Sequence, residues 1–215
     1  MFQALIFDFD GVIINTEMAD VEAWRTIYGR YGHEFPLALW QQNIGSHTVF
    51  DPLEELVARA NGAVDRQAIQ QAFETLDQEM VRQLPIMPGV RDRMAEARQL
   101  GMKLAVASSS PANWLNYHLP RLGLLLDFDA VRTCTDVDGR KKPDPAVYLA
   151  ACAAVGVSPT HALAVEDSMH GVAAAKAAGM FCVAVPNEAT QDMDFSAADL
   201  VLPSLTALSL SQLLR

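Results

Sequence analysis

Cysteine is scarce in this sequence, and its copies, Cys134, Cys152 and Cys182, stand far apart with no C-x-x-C spacing. That excludes a disulfide framework and a cysteine-based zinc site, and leaves three small buried hydrophobes as the expectation. No block of Lys and Arg occurs, and a formal net charge of −10 at pH 7 repels nucleic acid and anionic membrane surfaces. Small cations are the natural partners of such a chain. No apolar run is long enough to span a bilayer, and no basic segment precedes one, so neither a signal peptide nor a membrane anchor is expected, and a cytoplasmic protein is. The histidines His33, His47, His118, His161 and His170 contain no i,i+4 pair. Walker A, G-x-G-x-x-G and G-x-S-x-G strings are absent, so nucleotide-cradling and serine-hydrolase chemistry have no support.

What is present describes an ordinary globular chain: 215 residues, 51% hydrophobic and 20% charged, enough for one full core and a smaller attached unit. Short continuous apolar runs recur at Ala4 to Phe9, Leu104 to Ala107, around Phe128 to Val131, Ala162 to Val165 and Phe181 to Val185, with a possible sixth at Asp199 to Leu202. Runs of this kind suit strands covered on both faces. Helical stretches lie between them, at Val90 to Leu100, Ala112 to Leu122, Ala146 to Val155 and Met169 to Ala178, the last stopped by Gly179. Alternating strands and helices imply right-handed crossovers and a doubly wound, Rossmann-like parallel sheet. Ligands of such sheets sit beyond the carboxyl ends of the strands.

One interval breaks the alternation. Residues 15–85 show no convincing strand, while Val21, Trp24, Ile27 and Tyr31 form one helical stripe and Ile69, Ala72, Phe73, Leu76 and Met80 another. The expectation is a separate all-helical cap domain over 15–85, inserted into a discontinuous α/β core made of 1–14 and 86–215. Pro85, Pro88 and Gly89 mark the return to the core.

The chemistry-bearing residues share one kind of position. Asp8 and Asp10 follow the first apolar run, Ser108 the second, Glu166 and Asp167 the fourth. Parallel strands would gather these ends on one edge and crowd the four carboxylates. Two unit charges about 4 Å apart repel by roughly 4 kcal/mol at an effective dielectric of about 20, so the cluster calls for protons or a cation. A hard divalent ion held by oxygen, such as Mg²⁺, answers that, and it brings phosphate chemistry with it. A carboxylate beside such an ion can attack phosphorus, and a second can protonate the leaving oxygen and later deprotonate water.

The strings "DFDGV", "ASSS", "KKPDP" and "VEDSMHG", in this order, resemble the four signature motifs of the haloacid dehalogenase superfamily, and within it the β-phosphoglucomutase-like phosphatases. The resemblance covers nearly the whole chain, since that family also places a helical cap after the first strand. It implies Asp8 as nucleophile and metal ligand, and Asp10 as general acid/base with its backbone carbonyl on the metal. It further implies Ser108 as a holder of a phosphoryl oxygen, Lys142 as the balancing cation, and Glu166 with Asp167 as the acidic pair completing an Mg²⁺ site. Ser109 is a further candidate for phosphate, and Gly45 and His47 of the cap loop "GSHTVF" for substrate selection.

Blander roles exist for each. A lone Asp leaving a strand is ordinarily a turn former, Asp167 or Ser168 suits a helix N-cap, and Ser110 before Pro111 suits another. Trp24, Trp40 and Trp114 read as core or interface residues, His170 as an exposed helix residue, and Arg140 and Lys141 as solvated. The expected activity is Mg²⁺-dependent hydrolysis of small phosphorylated metabolites, sugar phosphates among them, by a monomer, through an aspartyl-phosphate. A sugar-phosphate mutase is the first alternative, weakened because Asp20 stands where true mutases carry a cap histidine. A non-enzymatic phosphate-binding regulator is the second.

Overall fold

A computed structural model describes residues 2–44, 49–60 and 64–213. Six parallel strands form one sheet: β1 Ala4–Phe7, β2 Lys103–Ala107, β3 Ala130–Arg132, β4 Ala162–Glu166, β5 Phe181–Ala184 and β6 Leu200–Val201. Their order is β3-β2-β1-β4-β5-β6, so the winding reverses direction between β1 and β4. The third strand starts two residues later than its apolar run, because Phe128 packs its ring on Phe7 instead of extending the ladder.

Alternation along the strands splits the core by face. Leu5, Phe7, Leu104, Val106, Leu163 and Val165 point to one side. There they meet α5 (Val90–Gln99), α6 (Ala112–Arg121) and the short α9 (Leu210–Leu213). Ala4, Ala105, Ala107, Ala162, Ala164 and Ala184 line the other face. Their small side chains admit α7 (Ala146–Val155) and α8 (Met169–Ala177), themselves rich in alanine, close to the sheet. The three cysteines are free and buried, as their spacing suggested.

Within 15–85 the regular elements among the described residues are helices: α1 Thr16–Arg30, α2 Leu37–Trp40, α3 Pro52–Arg59 and α4 Arg66–Gln83. Asn15, Asp51 and Asp65 cap α1, α3 and α4 through their side-chain oxygens. An apolar cluster joins Val21, Trp24, Ile27, Tyr28, Leu56 and Ile69 with Ala189 from the segment after β5, and in it Trp24 stacks on Phe73 at 4.4 Å between ring centroids. Tyr28, not Tyr31, completes the α1 stripe. Tyr31 follows the last helical turn and is 39% exposed, whereas Tyr28, one turn beyond Trp24, is buried and donates its hydroxyl to the Pro52 carbonyl at 2.7 Å. The helical segment touches the sheet-bearing part through Gln41, whose side-chain amide donates to the Ala189 carbonyl at 2.9 Å, and through His170 Nδ1, 2.9 Å from the Ile44 carbonyl oxygen. His170 is thus half-buried rather than exposed. No described helix is long and apolar enough to cross a membrane.

Candidate active site

The register places Phe7 opposite both Val106 and Val165. Asp8, Ser108 and the Glu166–Asp167 pair therefore leave neighbouring strands at nearly the same level, at the point where the winding reverses. Asp8 is still held to the sheet by its N–H, which donates to the Val165 carbonyl at 2.9 Å. Its Oδ1 accepts the Phe9 N–H at 2.7 Å and faces Lys142 Nζ at 2.7 Å.

Lys142 is fully buried, and its ammonium also lies 2.6 Å from Glu166 Oε1. Tyr148 on α7 donates its hydroxyl to the same oxygen, and the Lys142 ammonium sits 5.0 Å from the Tyr148 ring centroid. Glu166 Oε2 is buried without a partner. It passes so close under Gly171 that a Cβ there would come within 1.9 Å, which restricts that position of α8 to glycine. Asp167 is steadied by Asn187, whose amide nitrogen donates to Oδ2 at 2.7 Å. Gly11 has φ +80°, and a Cβ on it would lie 1.9 Å from Asp167 Oδ2, so both backbone and space demand glycine.

The ligand atoms of Asp8, Glu166 and Asp167 lie within 4.8 Å of one another and could hold a metal ion. Burial, then Glu166, pushes the Asp8 carboxyl up to about 8 against the pull of Lys142. Asp167 is raised well above the ordinary range by burial, then by Asp8 and Glu166. One ammonium cannot balance three buried carboxylates. The orphaned Glu166 oxygen, the surplus negative charge and an all-oxygen donor set together fit a hard divalent cation.

Asp10 does not join that group through its carboxylate. Its Oδ1 accepts from Trp114 Nε1 and Thr16 Oγ1, each at 2.9 Å, and its Oδ2 from Ser110 Oγ at 2.6 Å and, more distantly, Ser108 Oγ at 3.4 Å. The expected crowd of four carboxylates is therefore three, with the fourth turned aside by hydroxyl and indole donors. Ser110 is no N-cap: Pro111 occupies that position, and the Ser110 hydroxyl is committed to Asp10. The Ser109 hydroxyl accepts the Lys142 main-chain N–H at 3.2 Å and so anchors the lysine loop. Ser168 does cap α8, accepting the Gly171 N–H at 3.1 Å.

A cavity of about 690 Å³ opens over Asp8, Asp10, Ser108 and Asp167 and runs to the helical segment, where Glu17, Asp20, Trp24, Phe73 and Asp77 line it. Trp40, Trp114 and Lys141 line it too. Gly45 and His47 lie outside the described residues, whereas Asn43, Ile44 and Asp51 on either side reach the cavity. Sequence reasoning missed Asn187, Tyr148, Thr16, Glu17 and Asp77. Asn187 follows β5, so the strand-end rule that found Asp8 and Asp167 would have found it. Nothing local marks the other four.

Over residues 2–179 the sequence matches the hydrolase family described as haloacid dehalogenase-like hydrolase. It is 38% identical over 214 residues to YhcW of Bacillus subtilis (strain 168), covering 100% of this chain and 97% of that one. To hexitol phosphatase B of Escherichia coli (strain K12) it is 32% identical over 230 residues, covering 98% and 96%. Its fold superposes with TM-score 0.74 on a crystallised CbbY variant from Rhodobacter sphaeroides in complex with xylulose-(1,5)bisphosphate, at 26% identity and 99% coverage of both chains. The motifs, the sheet that gathers them and these matches agree, and the chain belongs to the haloacid dehalogenase-like hydrolases.

Proposed function

We propose that this hydrolase is a Mg²⁺-dependent phosphomonoesterase acting on small phosphorylated metabolites through a phosphorylated Asp8. The observation that carries the reading is Asp8 on the cavity lining, 2.7 Å from the Lys142 ammonium and with its ligand atom within 4.8 Å of those of Glu166 and Asp167. Asp8, Glu166 and Asp167, with the Asp10 main-chain carbonyl, would hold Mg²⁺, which when bound supplies charge neutralisation at the phosphoryl group.

Asp8 attacks phosphorus, its bond to the phosphoryl group forms, and the bond to the leaving oxygen breaks. Asp10 gives that oxygen a proton, then takes one from the water that cleaves the aspartyl-phosphate. The Asp10 contacts suit both halves, because the hydroxyls of Thr16 and Ser110 can turn from donor to acceptor as its protonation changes. Ser108 steadies a phosphoryl oxygen, and Lys142 offsets its charge. Ser109 assists by fixing the Lys142 loop, with its hydroxyl 3.2 Å from that main-chain nitrogen. The helices of 15–85 act as a cap domain that shields the reaction from bulk water and reads the organic part of the substrate.

Hydrolysis is favoured over mutase action because Asp20, at the position carried over from the resemblance, lines the cavity as an acid beside Asp77. The deciding experiment follows an aryl phosphate with excess Mg²⁺ and acid-quenches the wild type and Asp8→Asn. A covalent phosphoryl group on the Asp8 peptide of the wild type, absent with all turnover from Asp8→Asn, supports the reading. Turnover retained by a folded Asp8→Asn protein would refute it.

A further inference from the structure

Asn187 follows β5 in a turn closed on itself. Its main-chain carbonyl accepts the N–H groups of Thr190 and Gln191, at 3.0 and 2.9 Å, and the buried Thr190 hydroxyl accepts the Asn187 N–H at 3.0 Å. In the side chain, Oδ1 accepts the Ala189 N–H at 2.9 Å. With that oxygen committed, the amide presents its nitrogen on the opposite side, where it donates to Asp167 Oδ2 at 2.7 Å and, more distantly, to the Gly11 carbonyl at 3.4 Å.

The far side of the same turn meets the helical segment. Ala189 is fully buried in the apolar cluster with Val21, Trp24 and Leu56, and its carbonyl accepts the Gln41 side-chain N–H at 2.9 Å. Three hydrogen bonds of 2.9, 2.9 and 2.7 Å thus lead from Gln41 through Ala189 and Asn187 to Asp167. Gln41 itself is not among the described residues that line the cavity. Buried hydrogen bonds in series polarise one another, and a rigid turn passes on a shift that a loose one would absorb.

An amide N–H on one carboxylate oxygen sets the plane of the group before any ion arrives. That aim matters unequally to different cations: Mg²⁺ demands near-octahedral surroundings, whereas Ca²⁺ accepts ligands over a wide range of angles. Building on the Mg²⁺-dependent reading of the site, we propose that Asn187 is a positioning residue that aims Asp167 at the ion, and that the helices of 15–85 act on the metal site through Gln41 and the turn 187–190. Docking of that segment and binding of Mg²⁺ then favour each other, since a coupling between two equilibria acts equally in both directions.

The test is calorimetric titration of the metal-free protein with Mg²⁺, and separately with Ca²⁺, for the wild type, Asn187→Ala, Gln41→Leu and the double variant. Asn187→Ala should weaken Mg²⁺ about 10-fold or more and Ca²⁺ distinctly less. Gln41→Leu, which keeps the bulk but removes the N–H, should weaken Mg²⁺ about 3-fold or more. In the double variant the Gln41 change should add nothing, because its path ends at the missing amide. Thermal unfolding of each metal-free variant checks that it is folded. Unaltered Mg²⁺ affinity in either folded single variant, an equal loss for both ions in Asn187→Ala, or a Gln41 effect that persists without Asn187 would overturn the inference. Should Asn187→Ala fail to fold, Gln41→Leu decides alone by whether its Mg²⁺ affinity falls. In all these cases Mg²⁺ binding by the wild type leaves the proposed function standing; a wild type that binds none would overturn both.

Discussion

Lys142 Nζ lies 2.7 Å from Asp8 Oδ1 at the bottom of the cavity, and both side chains are almost wholly withdrawn from solvent. The lysine is reached from β3 through a loop anchored by Ser109, and the aspartate comes directly from β1. Burial alone would pull the lysine toward neutrality, but Asp8 and Glu166 outweigh it and hold the ammonium form.

Replacing that ammonium should therefore be severe. Lys142→Met leaves Asp8 and Glu166 buried without their cation, a loss of the kind that costs about 3 kcal/mol or more. Urea unfolding should show the loss growing toward alkaline pH, where the carboxyls cannot escape by taking protons, and Mg²⁺ should restore part of it. Turnover should fall at least about 100-fold.

Gly11→Ala forces a Cβ against Asp167 at a residue with φ +80°. The carboxylate has to give way, so calorimetric titration should find Mg²⁺ binding weakened by about 10-fold or more. Thermal unfolding without metal should show a loss of about 1 kcal/mol or more from the backbone strain.

Trp114→Phe keeps a ring beside His118 but removes the indole N–H that donates to Asp10 at 2.9 Å. With Trp114 acting as a positioning residue, kcat should drop about 10-fold with KM little changed, because Asp10 loses a donor that fixes its carboxylate. An unchanged kcat with lowered stability would assign Trp114 to packing alone.

Away from the site, Asp129 accepts the Leu104 N–H at 2.8 Å and pairs with Arg98 and Lys103 at 2.6 and 3.2 Å. Burial opposes its charged form, but these partners prevail and lower it from 3.8 to about 2. A depressed carboxyl stabilises the fold above its unfolded value and loses that contribution as pH falls through the folded value. Asp129→Asn should thus cost about 1 to 2 kcal/mol at neutral pH and almost nothing near pH 2, when thermal unfolding is followed across that window.

Much of the site was readable because of where it lies. Apolar strand runs end abruptly in Asp8, Ser108 and the Glu166–Asp167 pair, and a parallel sheet has to bring such ends together. Asp10 shows the limit of that reasoning. Its place after β1 was legible, yet its carboxylate turns to Trp114, Thr16 and Ser110, partners drawn from α6, α1 and the loop after β2. No local pattern encodes that choice.

By itself, the sequence determined the strand and helix alternation, the interrupting helical segment and the acids at strand ends, because apolar periodicity and chain punctuation are local properties. Only the tertiary structure decided which carboxylates face one another, that Tyr148 and Asn187 steady them, and that Asp20 meets Asp77. Such contacts join residues distant along the chain, and packing between elements, rather than any nearby residue, sets their distances.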